Sequence, residues 1–138
     1  MGVILDTCVW IEIEREKLTF DDVDRLTWGL PVYLAPPVLA ELEYVCYRTK
    51  TDTQRIRYKN AIKLIKQNPC LPIDVNTAKI FARLSAKLDS VGKPATHRTH
   101  DIWIAALAIQ YDFAVLTLNM KDFQGIPDVR LLPASPKT

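Results

Sequence analysis

What most restricts this chain is the alternation of short apolar runs with longer segments of helical period. Val-Ile-Leu at 3–5, Pro-Val-Tyr-Leu-Ala at 31–35 and Phe-Ala-Val-Leu-Thr-Leu at 113–118 are too short for helices. Runs of this kind read as strands buried on both faces. The segments between them read as helices. Residues 7–17 come first, with Thr7 as the cap. "TFDDVDRLTWG" follows, ending at Gly29. "PPVLAELEYVCYR" opens on two prolines that suit a first helical turn. Residues 51–68 are capped by Thr51 or Asp52 and stopped by Pro69, and residues 76–91 are closed by Gly92. "DIWIAALAIQ" is apolar on nearly every side and so reads as a buried helix, with Thr99 or His100 as its cap. "CLPIDV" reads as a further strand, at an edge because of Pro72, and "VRLL" as a candidate fifth. Strands separated by helices predict an α/β fold of three layers, α/β/α, around a central, mainly parallel sheet of four to five strands. One domain over 1–138 is expected, with 133–138 a loose C-terminal tail.

Composition narrows the function classes. At 138 residues and 49% hydrophobic, the chain can bury one ordinary core. A net charge of +2 selects no partner. Cys8, Cys46 and Cys70 are widely spaced and show neither a disulfide framework nor a zinc pattern, which suits a reducing compartment. Asp6 and Glu12 interrupt the first apolar run, so it does not read as a signal peptide. No segment approaches the ~20 apolar residues of a membrane span. The expectation is a soluble, cytoplasmic protein without a membrane partner.

The chemistry is carried by acids in awkward places. Asp6 directly follows the first apolar run, at the carboxyl end of a strand, where open parallel sheets receive ligands. Glu41 is three residues after Val38 and four before Val45, so it lies on the apolar side of its helix, whereas Glu43 points away. Asp101 opens the most apolar helix in the chain. Asn119 and Asp122 follow the last long strand. Each has an ordinary explanation taken singly: a snorkelling glutamate, a first-turn acid on a helix dipole, an Asn/Asp turn. Together they can meet at one edge of the sheet. Carboxylates about 4 Å apart repel by roughly 1–4 kcal/mol per pair, so such a cluster calls for a cation. All-oxygen donors select Mg²⁺ or Mn²⁺, and that chemistry is metal-assisted phosphodiester hydrolysis.

At these residues the chain resembles the PIN-domain ribonucleases, especially the toxins of VapBC-type toxin–antitoxin pairs, from residue 3 to about residue 132. "ILDTCVWIE" looks like the family's opening block through Asp6 and Thr7. "APPVLAELEYV" is similar to its second, through Glu41, and "HDIWIAALAI" to its third, through Asp101. "VLTLNMKDF" resembles the closing Thr-x-Asn-x-x-Asp-Phe through Thr117, Asn119 and Asp122. Cys8 stands where Asn or Ser is common, and "GKPATHRTH" is slightly longer than usual before Asp101. Asn119 is an amide where many relatives have an acid, so either Asp122 is the fourth acid or the site has only three, and the count of metal ions, one or two, remains open. The resemblance implies a PIN-like fold and a Mg²⁺-dependent endoribonuclease. Asp6, Glu41 and Asp101 would hold the metal, with Asp122 completing the catalytic set. Thr7, Thr117 and Asn119 would support them through hydrogen bonds. It also implies a homodimer and a small antitoxin whose tail fills the groove.

The helix at 51–68 adds a basic stripe. Arg55, Lys59, Lys63 and Lys66 step by four, four and three; the stripe reads either as a solvated face or as a track for RNA phosphates. Arg98, His97 and His100, beside Asp101, are further RNA-contact candidates. Trp10 and Trp103 are expected in the core, and an exposed Trp28 or Phe20 would suit a partner. The competing assignments are a PIN-like nuclease of RNA maturation and a non-catalytic RNA- or protein-binding module on the same fold. The second would be expected to lack one core acid, and none is missing. A phospho-acceptor receiver domain would need an acidic pair after the first strand, where only Asp6 stands.

Overall fold

The computed structural model describes residues 1–93 and 98–134. Its strands are β1 (Val3–Leu5), β2 (Val32–Tyr33), β3 (Ala114–Thr117) and β4 (Arg130–Pro133). The helices are α1 (Thr7–Glu14), α2 (Phe20–Leu26), α3 (Pro36–Arg48), α4 (Asp52–Ile65), α5 (Val75–Ser90) and α6 (Thr99–Tyr111), and a 3-10 turn covers Met120–Phe123. All pairings in the sheet are parallel, in the order β2-β1-β3-β4. The expected α/β architecture is thus present, with four strands among the described residues.

The core explains the elements. β1 and β3 are buried throughout, as their unbroken apolar runs require. In α6, Ile102 and Ile104 through Ala108 are all fully buried, so the helix runs through the interior. Trp10 is fully buried, whereas Trp103 is half-buried and stacks on Phe81 with ring centroids 4.0 Å apart. Among the described residues no helix is long and apolar enough to cross a membrane.

Several expectations are corrected. "CLPIDV" is not a strand; only Cys70 bridges, to Leu34. Pro72 removes a donor, and the Asp74 side chain takes the Asn76 and Thr77 N–H groups, turning the path into α5. "VRLL" instead forms β4. Its last residue, Pro133, pairs with Thr117, and Ala134 is buried with its N–H on the Thr117 carbonyl at 2.8 Å, so the chain is tied down through 134. The rest of the expected tail, 135–138, lies outside the described residues, as does His97 with the middle of the "GKPATHRTH" loop. α1 stops at Glu14, and Asp6, not Thr7, is its cap. Thr99 and His100 already lie inside α6, capped by Arg98 without a side-chain bond.

The strand order places the site. From β1 the chain crosses to β2 on one side; from β3 it goes to β4 on the other. Between the carboxyl ends of β1 and β3 the connections diverge, which leaves a crevice there. Leu5 pairs with Leu116, so the residues that follow, Asp6 and Thr117, flank that crevice together.

Candidate active site

Asp6 anchors the crevice. It is 5% exposed, and both of its carboxylate oxygens are engaged. Oδ1 accepts from the Thr7 N–H at 2.8 Å, which caps α1. Oδ2 accepts from Thr117 Oγ1 at 2.9 Å. Burial raises the Asp6 pKa above its ordinary 3.8; the Thr117 and Thr7 hydrogen bonds oppose the rise, and the charges of Glu41 and Asp122 add to it.

The neighbouring positions attach to Asp6 in turn. Thr7 Oγ1 donates to Glu41 Oε2 at 2.8 Å and so draws α3 toward the start of α1. This half-buried glutamate is therefore held in place. Thr117 is fully buried, and its Oγ1 also accepts the Asn119 N–H at 3.0 Å, folding the turn that follows β3. Asn119 thus enters through its backbone; its side chain is exposed and makes no capping bond. The Cys8 thiol lies 3.7 Å from Asp6 Oδ2 and 3.9 Å from Thr117 Oγ1. Burial, and then the Asp6 charge, push that thiol up, so it sits at the site as a neutral group.

Asp101 and Asp122 close the set. Burial raises the Asp101 pKa from 3.8 to about 7, followed by repulsion from Asp122, Asp6 and Glu41, while Arg98 opposes the shift. The arrangement therefore brings four carboxylates from four separate segments into mutual electrostatic range. Arg98 also braces it: Nη2 and Nε donate to the Asp122 carbonyl at 2.6 and 3.3 Å. This bracing was invisible in the sequence, because it joins residues far apart along the chain, whereas the Thr7 bond to an acid is what the resemblance implied.

The donor set suits a hard divalent cation: carboxylate oxygens only, partly buried, mutually repelling, with one arginine to offset them. As they stand, among the described residues, no three His, Cys, Asp or Glu side chains form a ready-made metal clasp.

The basic stripe is placed elsewhere. Arg55, Lys59 and Lys63 line a cleft of about 540 Å³ with Glu43, Cys46 and Tyr47 of α3. Arg55 pairs with Asp52 at 2.7 Å, and Lys66 lies 3.9 Å from Glu43.

Thr117 gives a direct check on this geometry. Thr117→Val keeps the shape but removes the donor to Asp6 and the acceptor for the Asn119 N–H. We expect a loss of about 1–3 kcal/mol in urea unfolding and a drop in any activity of about 10–100-fold. Thr117→Ser should restore most of both. A valine variant within ~0.5 kcal/mol of wild type would contradict the bonding described.

Comparison with known proteins agrees with the architecture. Residues 3–128 match the PIN domain family. The chain is 34% identical over 137 residues to Ribonuclease VapC of Rickettsia bellii, covering 96% of each. It is 33% identical over 138 residues to Ribonuclease VapC1 of Rickettsia felis, covering 99% of each. In structure it superposes on VapBC2 of Rickettsia felis, solved bound to a DNA fragment from their promoter, with a TM-score of 0.78 at 19% identity, covering 95% of this chain and 97% of that one. With its sequence matched along nearly its whole length and its parallel sheet in place, the chain belongs to the PIN-domain family, among the VapC-type ribonucleases.

Proposed function

We propose that this protein is a Mg²⁺-dependent endoribonuclease, the toxin of a toxin–antitoxin pair, acting in the cytoplasm. The observation that carries the reading is the convergence of Asp6, Glu41, Asp101 and Asp122 from four chain segments, with the Asp101 pKa raised to about 7 by burial and by the other three. Asp6, Glu41 and Asp101 are the residues to hold the cation, and Asp122 completes the set. Bound there, Mg²⁺ or Mn²⁺ would supply Lewis-acid activation of water and neutralise phosphate charge. The protein's own part is orientation. Thr117 and the Thr7 N–H fix both oxygens of Asp6, and the Thr7 hydroxyl fixes Glu41. Arg98 holds the turn that carries Asp122, and its charge is available to an RNA phosphate.

The names of the relatives support a small antitoxin as partner, since the matched Rickettsia felis structure is a VapBC complex. The exposed Trp28 and half-exposed Phe20 are suited to such contacts or to a homodimer. The deciding experiment is metal removal. Purified protein treated with EDTA should lose cleavage of a labelled RNA, and added Mg²⁺ or Mn²⁺ should restore it. Undiminished cleavage in metal-free buffer would overturn the mechanism.

A further inference from the structure

Two helix faces continue outward from the acids. On α3, Glu41 shares its face with Tyr44, Val45 and Arg48, at offsets of three, four and seven residues. On α1, Thr7 shares its face with Ile11 and Glu14, and Arg15 follows directly as the residue that ends the helix. Thr7 and Glu41 are joined by their 2.8 Å hydrogen bond, so these two faces leave the acids side by side. They run into two small clefts against α4. One, of about 160 Å³, is lined by Ile11, Arg15 and Arg57. The other, of about 200 Å³, is lined by Val45 and Arg48. Gln54 and Tyr58 line both, so the two clefts adjoin on α4 and together form the groove considered below.

We propose that an RNA strand leaves the acids along this groove where α1, α3 and α4 meet, its phosphates taken by Arg15, Arg48 and Arg57. The inference rests on the nuclease reading above. At 1.5 Å per residue, Arg48 lies about 10 Å along α3 from Glu41, and Arg15, just past the end of α1, roughly 12 Å from Thr7. Both are within reach of a strand held at the acids. The guanidinium fork matches phosphate oxygens in pairs, and all three arginines are exposed; Arg15 lies 3.8 Å from Glu12, and Glu14 is the acid in the lining. The guanidinium of Arg48 also sits 5.4 Å from the ring centroid of Tyr44, whose side chain is 57% exposed. That pair offers a base a stacking surface beside a phosphate contact. The basic stripe of α4 is less well placed. Its cleft is bordered on α3 by Glu43, Cys46 and Tyr47, which turn to the side of that helix away from Glu41.

The test uses full-length protein carrying Asp101→Asn, so that the strand is bound but not cut, and a fluorescein-labelled single-stranded RNA of mixed sequence. Arg48→Ala and Arg57→Ala should each weaken binding about three- to tenfold at low salt and flatten the log–log salt dependence by about one. A Lys59→Ala, Lys63→Ala pair should lose less. In the cutting-competent chain, Arg48→Ala should raise KM with kcat nearly constant. Unaltered melting temperatures would verify that the variants are folded. Unchanged affinity and slope in the arginine variants, or a larger loss from the lysine pair, would overturn the groove. So would normal RNA binding with lost retention of a co-expressed antitoxin, which would assign the groove to that protein. A wild-type chain that binds RNA through these arginines yet leaves it uncut with Mg²⁺ overturns the nuclease reading and not the groove.

Discussion

Asp6→Asn is expected to abolish RNA cleavage, by about 10²–10³-fold or more, while the protein stays folded. The reason lies in the two tasks of this side chain. As a cap, Asp6 needs only an oxygen facing the Thr7 N–H, and asparagine supplies one. As an acid it needs its charge, and an amide has none to offer a divalent cation. The new NH₂ would face Thr117 Oγ1, which must then give up donating to this position and accept instead. That rearrangement is small, and it removes a buried like charge from the set. The melting temperature of metal-free protein should therefore be unchanged or higher. Asp6→Ala should be equally inactive but should lose the cap, at about 1–2 kcal/mol. Cleavage assays with urea melts of the three proteins separate the two tasks. Equal cleavage by wild type and the asparagine variant would remove Asp6 from the chemistry.

The second large effect concerns pH. The folded protein holds Asp101 at about 7, whereas an unfolded chain releases that proton near 3.8. Below 3.8 the group is protonated in both states and its contribution is fully present. As pH rises from there through 7, the folded state must ionise a carboxyl among other carboxylates, and that stability is lost. Asp6 shifts in the same direction. Metal-free protein should thus be less stable at pH 8 than at pH 5. The unscreened shift corresponds to about 4 kcal/mol; for a carboxyl still in contact with solvent, ~1–2 kcal/mol is the expected size. Asp101→Asn, which mimics the protonated form, should melt about 3–8 °C above wild type at pH 8, should match it at pH 4, and should not cut RNA. Saturating Mg²⁺ should raise the wild-type melting temperature at pH 8 and leave the variant's little changed. An asparagine variant less stable than wild type at pH 8 would show that the Asp101 charge is compensated within the fold.

The sequence reached as far as local physics reaches. β1 and β3 were legible because unbroken apolar runs have few other uses, and α6 because a helix apolar on every side must be interior. Asp6, Glu41 and Asp101 stood out because a carboxylate within an apolar pattern needs a reason. What was missed was decided by tertiary competition. Residues 70–75 had strand composition, but one proline and one capping aspartate redirected them after a single bridge to Leu34. Which acid Thr7 supports was also beyond local reading, since Glu41 lies 34 residues away. The α4 stripe was visible as a period of charge, but which side of the molecule it faced was not, since that depends on how α3 and α4 pack.

The bonds that hold Asp6 reach across almost the entire chain: its second oxygen waits for Thr117, 111 residues later, and Thr117 in turn carries Ala134. During synthesis on the ribosome the first acid emerges early and the last supports emerge late. A nascent chain therefore carries Asp6 and Glu41 while Thr117 and the other two acids are still unmade, and the site can align only after them.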